Sequence, residues 1–395
     1  MPRPLTVLLT NIAFAFRSGT EIVIDQVARG LLRRGHRPIV FAPYVGGGLT
    51  EGLRKQGIAV INSLRSPGFE PDIIQGQHNV TTVMALAAFP NARALFWCHD
   101  FHAAKDQPPL VPRIRRFLAV DEACRERLLL EHAPSERTIT VYNAVDLELY
   151  KQRGRLPETP KRLLCLTKGS EHVAAVREAS VAAGLEFEAL GGGVGQVVDD
   201  LAERLHNYDI VVATARMAME AVAIGCAVIV CDDRGFAGLV TTENLREWRR
   251  KNFGRQLLQH QASVGNLVDA IRQYDASDAT MVTEMYRQEA DLERQIDQLE
   301  EIYHDILSEP YTIDSAEDLR SLAPFLEDFL ISRDFTRSWA ALYVNVTGEP
   351  MVPADDPLLR RIEQLNSQLL DRNSDDNLVR QGLSLLKRAF RKQKH

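Results

Sequence analysis

The stretch Arg216–Asp232, RMAMEAVAIGCAVIVCD, decides the fold class of this 395-residue chain. Met217–Ile224 is rich in helix formers and ends at Gly225, and Ala227–Cys231 is a short apolar run of strand type. A further apolar run, Ile210–Ala213, comes just before it. A strand, a helix and a strand in this order make a βαβ unit, which predicts parallel strands with a helix packed against them.

The same alternation of short apolar runs and amphipathic segments extends from this unit back to the N-terminus. In the first half, strands are predicted at Leu5–Thr10, Pro38–Ala42, Ala59–Ile61, Asp72–Gln75, Ala94–Cys98, Phe117–Val120 and Thr138–Tyr142, and helices at Glu21–Arg34 and Leu49–Gln56. In the second half, strands are predicted at Arg162–Thr167 and Phe187–Leu190, and helices at Val173–Ala183 and Val198–Leu205. Two doubly wound α/β halves place a ligand in the cleft at the carboxyl ends of their strands.

The segment Lys151–Lys161 is rich in Pro, Lys and Arg and is predicted to link the two halves. The chain length also favours two domains, because single cores stop growing near about 250–300 residues. We therefore expect Rossmann-like domains over residues 1–155 and 156–275. After them we expect one long amphipathic helix within 276–310 and a helical extension over 311–395. The apolar face of the long helix would comprise Leu292, Ile296, Leu299, Tyr303 and Ile306.

The composition is that of an ordinary globular protein, with 45% hydrophobic and 25% charged residues, which argues against extended disorder. A formal net charge of −6 argues against a general nucleic-acid binder. The five cysteines include no pair with CxxC spacing, so we expect reduced thiols and no zinc site. The sequence shows neither a signal peptide nor a run of about 20 apolar residues, so we expect a cytoplasmic protein.

A small loop, Ser18-Gly19-Thr20-Glu21, stands between the first predicted strand and its helix. Gly19 and Thr20 would let a ligand approach the backbone N–H groups at the N-terminus of that helix. The alternative is a tight turn whose Ser or Thr caps the helix. The loop alone does not decide between a binding role and a capping role.

Two histidines follow predicted strand ends, where the cleft between the halves is expected. His78 comes shortly after Asp72–Gln75, and His99 with Asp100 comes directly after Ala94–Cys98. An Asp beside His99 could orient the imidazole, and the ring could serve as an acid or base or donate to a sugar hydroxyl. A purely structural role for each histidine is the alternative.

Two further loops lie at predicted strand ends. Asn143 closes the first half, either as a cleft residue or as part of an Asx turn. Gly192 and Gly193 belong to the run Gly191–Gly195, GGGVG, which could let the backbone approach a nucleotide. This run lacks the Gly-Lys-Ser/Thr ending of a P-loop, and no GxGxxG motif opens the first βαβ unit.

Arg216, Met217 and Glu220 begin the helix of the opening stretch. The N-terminus of a helix offers free N–H groups and a partial positive charge that suit a diphosphate, and Arg216 could add donors to the phosphates. Glu220 lies about one turn further on, where a carboxylate can accept hydrogen bonds from ribose hydroxyls. The alternative is a buried helix whose Glu caps or pairs, since carboxylates are almost never buried without a partner.

Taken in order, these motifs resemble the retaining GT-B glycosyltransferases of the family 4 type, over about residues 5–270. Ser18–Glu21 and Arg33–His36 resemble that family's GGxE and RGH motifs. Pro71–Asp100 resembles the segment that carries its acceptor-domain histidines, and Val141–Tyr150 resembles its NGVD signature. The opening stretch resembles its EAMACGxPVV element. The matching segments are Ser18–Glu21 and Arg33–His36, Pro71–Asp100, Val141–Tyr150, Arg216–Asp232 and Gly235–Asn244.

Three features depart from the family pattern. The family carries an E-x7-E pair, of which Glu220 matches the second member and no residue matches the first. The family binds the donor diphosphate with an Arg and a Lys that follow the first strand of the second domain. Here the only candidate for this role is Lys168, in Thr167-Lys168-Gly169. The segment between Lys168 and Glu220 is shorter than in the family, which predicts a reduced second sheet.

The resemblance implies transfer of a sugar with retention from a nucleoside-diphosphate sugar to a glycan, lipid-linked or protein acceptor. It also implies that no metal cofactor is needed, so protein groups must neutralise the departing diphosphate. The nearest carboxylate pair, Asp232-Asp233, is expected to belong to a loop. The residues expected to be catalytic are His99, Asp100 and Glu220. Those expected to bind the donor are Gly19, Thr20, Lys168, Gly192, Gly193, Arg216, Met217 and Glu220, with His78 and Asn143 on the acceptor side or in the cleft.

The C-terminal segment Leu378–Phe390 predicts a basic amphipathic helix, which could lie on an anionic membrane or serve as a docking or oligomerising helix. Val111–Phe117 is a second basic and apolar cluster. Together they suggest a peripheral contact with the cytoplasmic face of a membrane.

Two other functions remain open at this stage. One is a different enzyme on the same fold, such as a nucleotide-sugar epimerase or a hydrolase. The other is a non-catalytic scaffold or partner subunit, which the missing first Glu of the acidic pair favours.

Overall fold

A computed structural model describes residues 3–15, 19–198 and 200–331 of the chain. Residues Met1–Leu322 form one compact unit that contains both sheets, and Ala323–His395 form a second unit. The basic amphipathic helix expected at Leu378–Phe390 lies outside the described residues. Among the described residues, no helix is both long and apolar enough to cross a bilayer.

The first sheet has seven parallel strands in the order β5-β3-β1-β6-β7-β8-β9. Two short strands that follow β1 and β3 in the sequence, β2 (Ala13–Phe14) and β4 (Tyr44–Val45), form a separate parallel pair. The strands are β1 (Thr6–Thr10), β3 (Arg37–Phe41), β5 (Ala59–Ile61), β6 (Ile73–Gly76), β7 (Arg93–Cys98), β8 (Ile114–Ala119) and β9 (Thr138–Thr140). The helices are α1 (Gly19–Arg33), α2 (Gly47–Lys55), α3 (Asn79–Ala88) and α4 (Glu122–Leu130).

The second sheet has five strands in the order β11-β10-β12-β13-β14, of which the last is antiparallel to its neighbour. The strands are β10 (Arg162–Leu166), β11 (Glu186–Leu190), β12 (Ile210–Ala213), β13 (Ala227–Asp232) and β14 (Gly235–Leu239). The helices are α5 (Val173–Ala182), α6 (Leu201–Leu205), α7 (Ala215–Ile224), α8 (Leu245–Arg250), α9 (Val264–Arg272) and α10 (Ala276–Glu289). The α/β class predicted from the sequence is confirmed.

The central strands of both sheets are buried on both faces, as expected where helices cover a parallel sheet. One apolar core surrounds the first sheet and includes the fully buried Trp97. Two cores cover the opposite faces of the second sheet. This burial explains why the strands read as continuous apolar runs in the sequence.

The single long helix expected within 276–310 is wrong, because two helices meet there. α10 ends at Glu289, and Asp291 caps α11 (Leu292–Ser308) by accepting a hydrogen bond from the backbone N–H of Glu293 at 3.1 Å. The backbone of Val145 donates to the carbonyl of Ala290 at 2.8 Å and accepts from the N–H of Leu292 at 3.1 Å. These bonds replace the helical hydrogen bonds at the break and turn the chain toward the first sheet.

Helix α11 packs against the core of the first sheet, although it follows the second sheet in the chain. Its five predicted face residues are all buried: Leu292, Ile296, Leu299, Tyr303 and Ile306. The hydroxyl of Tyr303 also hydrogen-bonds to the side chain of Gln75 on β6. The apolar spacing therefore predicted the face correctly even though it did not show the break before it.

The Arg33–His36 segment, which resembles a family motif, holds α11 at the amino ends of the strands of the first sheet, opposite the carboxyl ends. His36 accepts from the N–H of Leu5 through Nδ1 at 3.0 Å, and its Nε2 lies 2.6 Å from the carboxylate of Glu300. Arg33 and Arg34 both pair with Glu293 at 2.6 and 3.0 Å. This motif therefore serves the docking of a helix.

The arginines of the basic and apolar cluster Val111–Phe117 are paired with acidic residues of the chain. Arg113 is buried, donates to the carbonyl of Leu86 at 2.7 Å and pairs with Asp318. Arg115 and Arg116 both pair with Glu309, the former at 2.7 Å. Two carboxylates after α11, those of Glu309 and Asp318, thus pair with all three arginines and hold them against the protein.

Gly30 of α1 allows the close approach of α11, and a substitution there tests this contact. A Cβ atom at Gly30 would lie 2.6 Å from Cγ1 of Ile296. We expect Gly30→Ala to lower the free energy of unfolding by about 1–3 kcal/mol through overpacking. Urea denaturation would measure the change.

Gly48→Ala is the matched control, because a Cβ atom at that helical glycine meets nothing within 4 Å. Helix propensity alone favours Ala over Gly at both positions, so the control should leave the stability unchanged or raise it. In an Ile296→Ala background, Gly30→Ala should no longer be destabilising. Equal effects of the two glycine substitutions in the wild-type background would contradict the proposed contact.

Candidate active site

Two buried imidazoles lie at the carboxyl ends of neighbouring strands of the first sheet. His78 follows β6, adopts a left-handed backbone with φ 63°, and accepts from the N–H of Ile12 through Nδ1 at 3.3 Å. His99 follows β7, and its ring lies 5.1 Å from that of Trp97. Within the described residues, Nε2 of each histidine is buried and has no hydrogen-bond partner. Buried polar atoms without a partner are rare and indicate a site for water or a ligand.

Burial and nearby positive charge keep both imidazoles neutral. Burial, with a contribution from Lys105, lowers the pKa of His78 to about 3. Burial also lowers the pKa of His99 well below its usual value, assisted by His78, Arg216 and Lys105. Arg216 belongs to the second sheet, so its effect on His99 means that the two halves meet here. At neutral pH, both rings can exchange hydrogen bonds with a ligand but carry no charge.

The prediction that Asp100 orients His99 is wrong. The Asp100 carboxylate accepts from the backbone N–H groups of His102 and Ala103, at 2.7 and 2.9 Å. Asp106 instead accepts from the backbone N–H of His99 at 2.8 Å. Burial raises the pKa of Asp106 to about 6. Sequence reasoning missed Asp106 because it lies in a short 3-10 turn with no recognisable motif.

Arg216 is buried where the two halves meet. Its Nη2 donates to the side chain of Gln26 on α1 at 2.9 Å and to the carbonyl of Ala144 at 3.3 Å. Its Nη1 lies 3.6 Å from the carboxylate of Glu220 and makes no hydrogen bond within the described residues. The guanidinium is thus largely engaged by protein groups, with Nη1 left for a ligand, whereas the sequence predicted a fork directed at phosphates.

The start of α7 combines strain with tight anchoring. Ala215 has a left-handed φ of 50°, which is unfavourable for a residue with a Cβ atom. Its N–H donates to the carbonyl of Phe253 at 2.8 Å, and the hydroxyl of Thr214 donates to Asp232 at 2.9 Å. Strained backbone held in this way is concentrated at functional sites. Met217, the next residue predicted for the site, is half-buried against the core of the second sheet.

Lys168 lies in the loop after β10 and is exposed at this edge of the second sheet. Partial loss of hydration around its ammonium group lowers the pKa of Lys168, and the positive charge of Arg234 lowers it further. Glu220, Asp232 and Arg216 are also close enough to affect this pKa. Lys168 therefore faces the same group of charges as the start of α7, as its predicted role in diphosphate binding requires.

The glycine-rich run after β11 packs against the Lys168 loop. A Cβ atom at Gly193 would lie 2.2 Å from the carbonyl oxygen of Gly169, so no side chain fits there. A Cβ atom at Gly192 would meet nothing within 4 Å. Gly193 therefore has a packing role, and Gly192 leaves open space beside the loop.

Arg234, in the turn between β13 and β14, is a site residue that sequence reasoning missed. Its Nε donates to Asp232 at 3.1 Å. This hydrogen bond raises the pKa of Arg234, as do the negative charges of Asp232 and of Asp100 from the first half. Arg234 is thus paired with Asp232 and lies close enough to the first half for the charge of Asp100 to act on it.

The remaining predicted residues border this region. Gly19 and Thr20 open α1, where the side chain of Asn11 donates to the hydroxyl of Thr20 at 3.5 Å, and Ser18 lies outside the described residues. Asn143 donates to the side chain of Asn252 at 3.2 Å, which joins the two halves. The other side-chain atom of Asn143, Oδ1, is buried and lacks a partner within the described residues.

The two aspartates at the end of β13, Asp232 and Asp233, are both engaged by protein groups. Asp232 pairs with Arg234, and Asp233 lies 2.5 Å from Nδ1 of His172. Within the described part of the chain, no three His, Cys, Asp or Glu side chains are grouped as metal ligands would be. The sequence predicted both aspartates in a loop, but Asp232 is the last residue of β13 and pairs with Gly235 of β14, and only Asp233 lies in the turn.

Comparison with known proteins bears on both the first half and the whole fold. Residues 17–149 match the family model described as Glycosyltransferase Family 4. No curated protein matches the chain.

Several solved structures share the fold. A glycosyltransferase from Rickettsia africae is 14% identical with a TM-score of 0.55, and the match covers 78% of this chain and 100% of that one. HepE from Anabaena, in complex with UDP and glucose, is 14% identical with a TM-score of 0.55, over 76% of this chain and 100% of that one. Its complex with UDP-glucose gives a TM-score of 0.54 with the same identity and coverage. The chain therefore has the GT-B fold, and its first half resembles Glycosyltransferase Family 4.

Proposed function

We propose that the protein is a glycosyltransferase that takes a sugar from a nucleoside-diphosphate donor and passes it to a glycan, lipid-linked or protein acceptor. We also propose that the transfer retains the anomeric configuration, needs no metal and takes place in the cytoplasm. The observation that carries the proposal is the meeting of two sheet edges. One edge brings the neutral imidazoles of His78 and His99, and the other brings the cations Lys168 and Arg234 near Glu220.

The charges on the second sheet suit the diphosphate of the donor. The charge of Arg234 lowers the pKa of Lys168, and a bound dianion would relieve this repulsion. Cations fixed beside a departing diphosphate stabilise the charge that develops in the transition state. In this proposal Lys168 and Arg234 perform the neutralisation that a metal ion performs in other transferases.

The neutral imidazoles suit the sugar. A buried, uncharged ring with an open Nε2 can donate to or accept from a sugar hydroxyl, according to its tautomer. The charge of Arg216, from the second half, lowers the pKa of His99, so we assign His99 to the sugar being transferred. His78, further along the first sheet, is assigned to the acceptor side. Glu220 is assigned to the donor, with Arg216 fixing the position of its carboxylate.

A non-catalytic scaffold is the second candidate, and a specific observation favours it. At the spacing of the family's first acidic residue, this chain has Val212, which is fully buried in β12. The acidic pair is therefore incomplete. A hydrolase or an epimerase acting on the same nucleotide sugars is the third candidate.

Product analysis separates these functions. UDP-sugars would be incubated with the protein, first alone and then with a panel of glycan and lipid-linked acceptors. We expect UDP release that depends on the acceptor and is abolished by Glu220→Gln. Free sugar without an acceptor would identify a hydrolase, and an epimerised nucleotide sugar an epimerase. UDP binding without any turnover would favour the scaffold.

Replacement of Lys168 tests the diphosphate site directly. Hydrogen bonds to charged groups contribute about 1.5–3 kcal/mol, so Lys168→Met should weaken UDP binding roughly ten- to hundredfold. Isothermal titration calorimetry would measure the dissociation constant. UDP is the probe because HepE, which shares the fold, has been crystallised with it.

Lys161→Met is the matched control, because Lys161 is exposed and directly precedes β10, at the opposite edge of the same sheet. It should leave UDP affinity within about twofold of the wild type, since charges beyond about 10 Å are screened at ordinary salt. Equal effects of the two substitutions would place the diphosphate elsewhere.

The low pKa of His78 predicts how stability depends on pH. Between pH 6.5 and about 3 the unfolded imidazole binds a proton that the folded one does not, so the free energy of unfolding falls as the pH falls. In His78→Gln this dependence should weaken by up to about 1.4 kcal/mol per pH unit. Denaturant titrations at pH 4, 5 and 6 would measure it.

His102→Gln, at an exposed position, is the control and should keep the wild-type pH dependence. Asp106 acts in the opposite direction, because its raised pKa means that the folded state binds the extra proton below about pH 6. Its contribution is common to all three proteins and cancels in the comparison. An unchanged slope in His78→Gln would show that this ring titrates normally.

A further inference from the structure

A buried histidine joins two loops of the second sheet. His172 stands at the start of α5, and its Nδ1 lies 2.5 Å from the Asp233 carboxylate in the turn after β13. The backbone N–H of His172 donates to the same oxygen atom at 3.2 Å. The side chain of His172 is 1% exposed and that of Asp233 is 28% exposed, so the imidazole is buried and water reaches only the carboxylate. The carboxylate also sits at the N-terminus of α5, where the helix dipole favours a negative charge.

The other ring nitrogen of His172 is also occupied. Its Nε2 lies 3.6 Å from Sγ of Cys165 on β10. Burial and the charge of Asp233 raise the pKa of the Cys165 thiol to about 12, so the thiol keeps its proton and can donate it to the ring. Both hydrogen bonds form when the ring proton is on Nδ1, because Nδ1 then donates to Asp233 and Nε2 accepts from the thiol. The imidazole is therefore fixed at both nitrogens.

The loops around this pair fit together without space for side chains. A Cβ atom at Gly169 would lie 1.3 Å from Oδ2 of Asp233. Gly169 in turn contacts Gly193, as described above. Residues 167–172, 191–195 and 232–234 thus form one assembly of three loops, which we call the loop stack.

The loop stack carries the two cations of the proposed diphosphate site. Lys168 precedes Gly169, and Arg234 follows Asp233. The charge of Arg234 lowers the pKa of Lys168, so the two groups repel each other in the absence of an anion. The contacts between the loops fix the backbone positions from which both cationic side chains extend.

We propose that His172 and Asp233 are positioning residues that hold Lys168 and Arg234 at the spacing required by the donor diphosphate. This inference rests on the proposed function, because it takes the diphosphate as the ligand. Neither residue touches the ligand in this scheme. Their effect passes through the backbone of the loop stack, and misplacement of binding groups by about 1 Å can cost up to about a hundredfold.

The protein offers a matched control in a second buried pair of histidine and carboxylate. His36 also uses both ring nitrogens, on the Leu5 N–H and on Glu300, but at the opposite edge of the first sheet. His172→Gln and His36→Gln would be compared in the full chain, with Asp233→Asn as a second variant of the loop stack. The melting temperature, the dissociation constant for UDP and amide hydrogen exchange would be measured for each.

We expect His172→Gln and Asp233→Asn to weaken UDP binding roughly tenfold or more, and His36→Gln to leave it within about twofold at a similar loss of melting temperature. Hydrogen exchange should rise together in residues 167–172 and 232–235 for the two loop-stack variants, and in neither segment for His36→Gln. UDP binding that falls only in proportion to the melting temperature in all three variants would overturn the inference.

The exchange measurement also separates this inference from the proposed function. If the wild type fails to bind UDP or any other nucleoside diphosphate, the proposed function is wrong. Hydrogen exchange without a ligand would still show whether residues 167–172 and 232–235 respond together. If exchange rises only in residues 167–172 when His172 is replaced, the two loops are independent and His172 positions nothing beyond its own loop.

Discussion

A buried guanidinium between the two halves is the interaction on which the proposed site depends. Arg216 has donors for acceptors on both sides, and it uses Gln26 and the carbonyl of Ala144 from the first half. On its own helix it faces Glu220 at 3.6 Å. A buried ion pair adds little stability by itself, but the loss of one partner leaves an uncompensated charge. Arg216 and Glu220 therefore keep each other in place, and the two sheet edges meet around them.

The sequence predicts the strands well because a parallel sheet buried on both faces needs continuous apolar runs. The bounds of β5 and β12 agree with those predicted, and most other strands differ by only a few residues. β14 was missed because it contains two glycines and pairs antiparallel, which its own pattern does not specify. The break between α10 and α11 was missed because the apolar spacing continues across it. It is imposed by Val145, which is far away in the sequence.

The site was harder to predict than the fold, for a related reason. The sequence brings His78, His99, Lys168 and Glu220 to the correct strand ends, because position along a βα unit fixes the edge of the sheet. It does not determine which carboxylate a histidine meets. Asp100, the neighbour in sequence, turns back on its own loop, and Asp106 takes the hydrogen bond instead. Arg234 and the link between His172 and Asp233 arise from contacts between loops that only the folded sheet brings together.

The return of α11 to the first sheet has a consequence for the order of folding. Six buried side chains of α11 complete the core of the first half, although nearly the whole second half separates them from it in the chain. During synthesis, the first sheet would leave the ribosome with part of its apolar surface still exposed, and it would stay so until α11 emerged. Contacts between distant parts of a chain slow folding and leave intermediates prone to aggregation. The core of the first half is therefore complete only when α11 has docked on it.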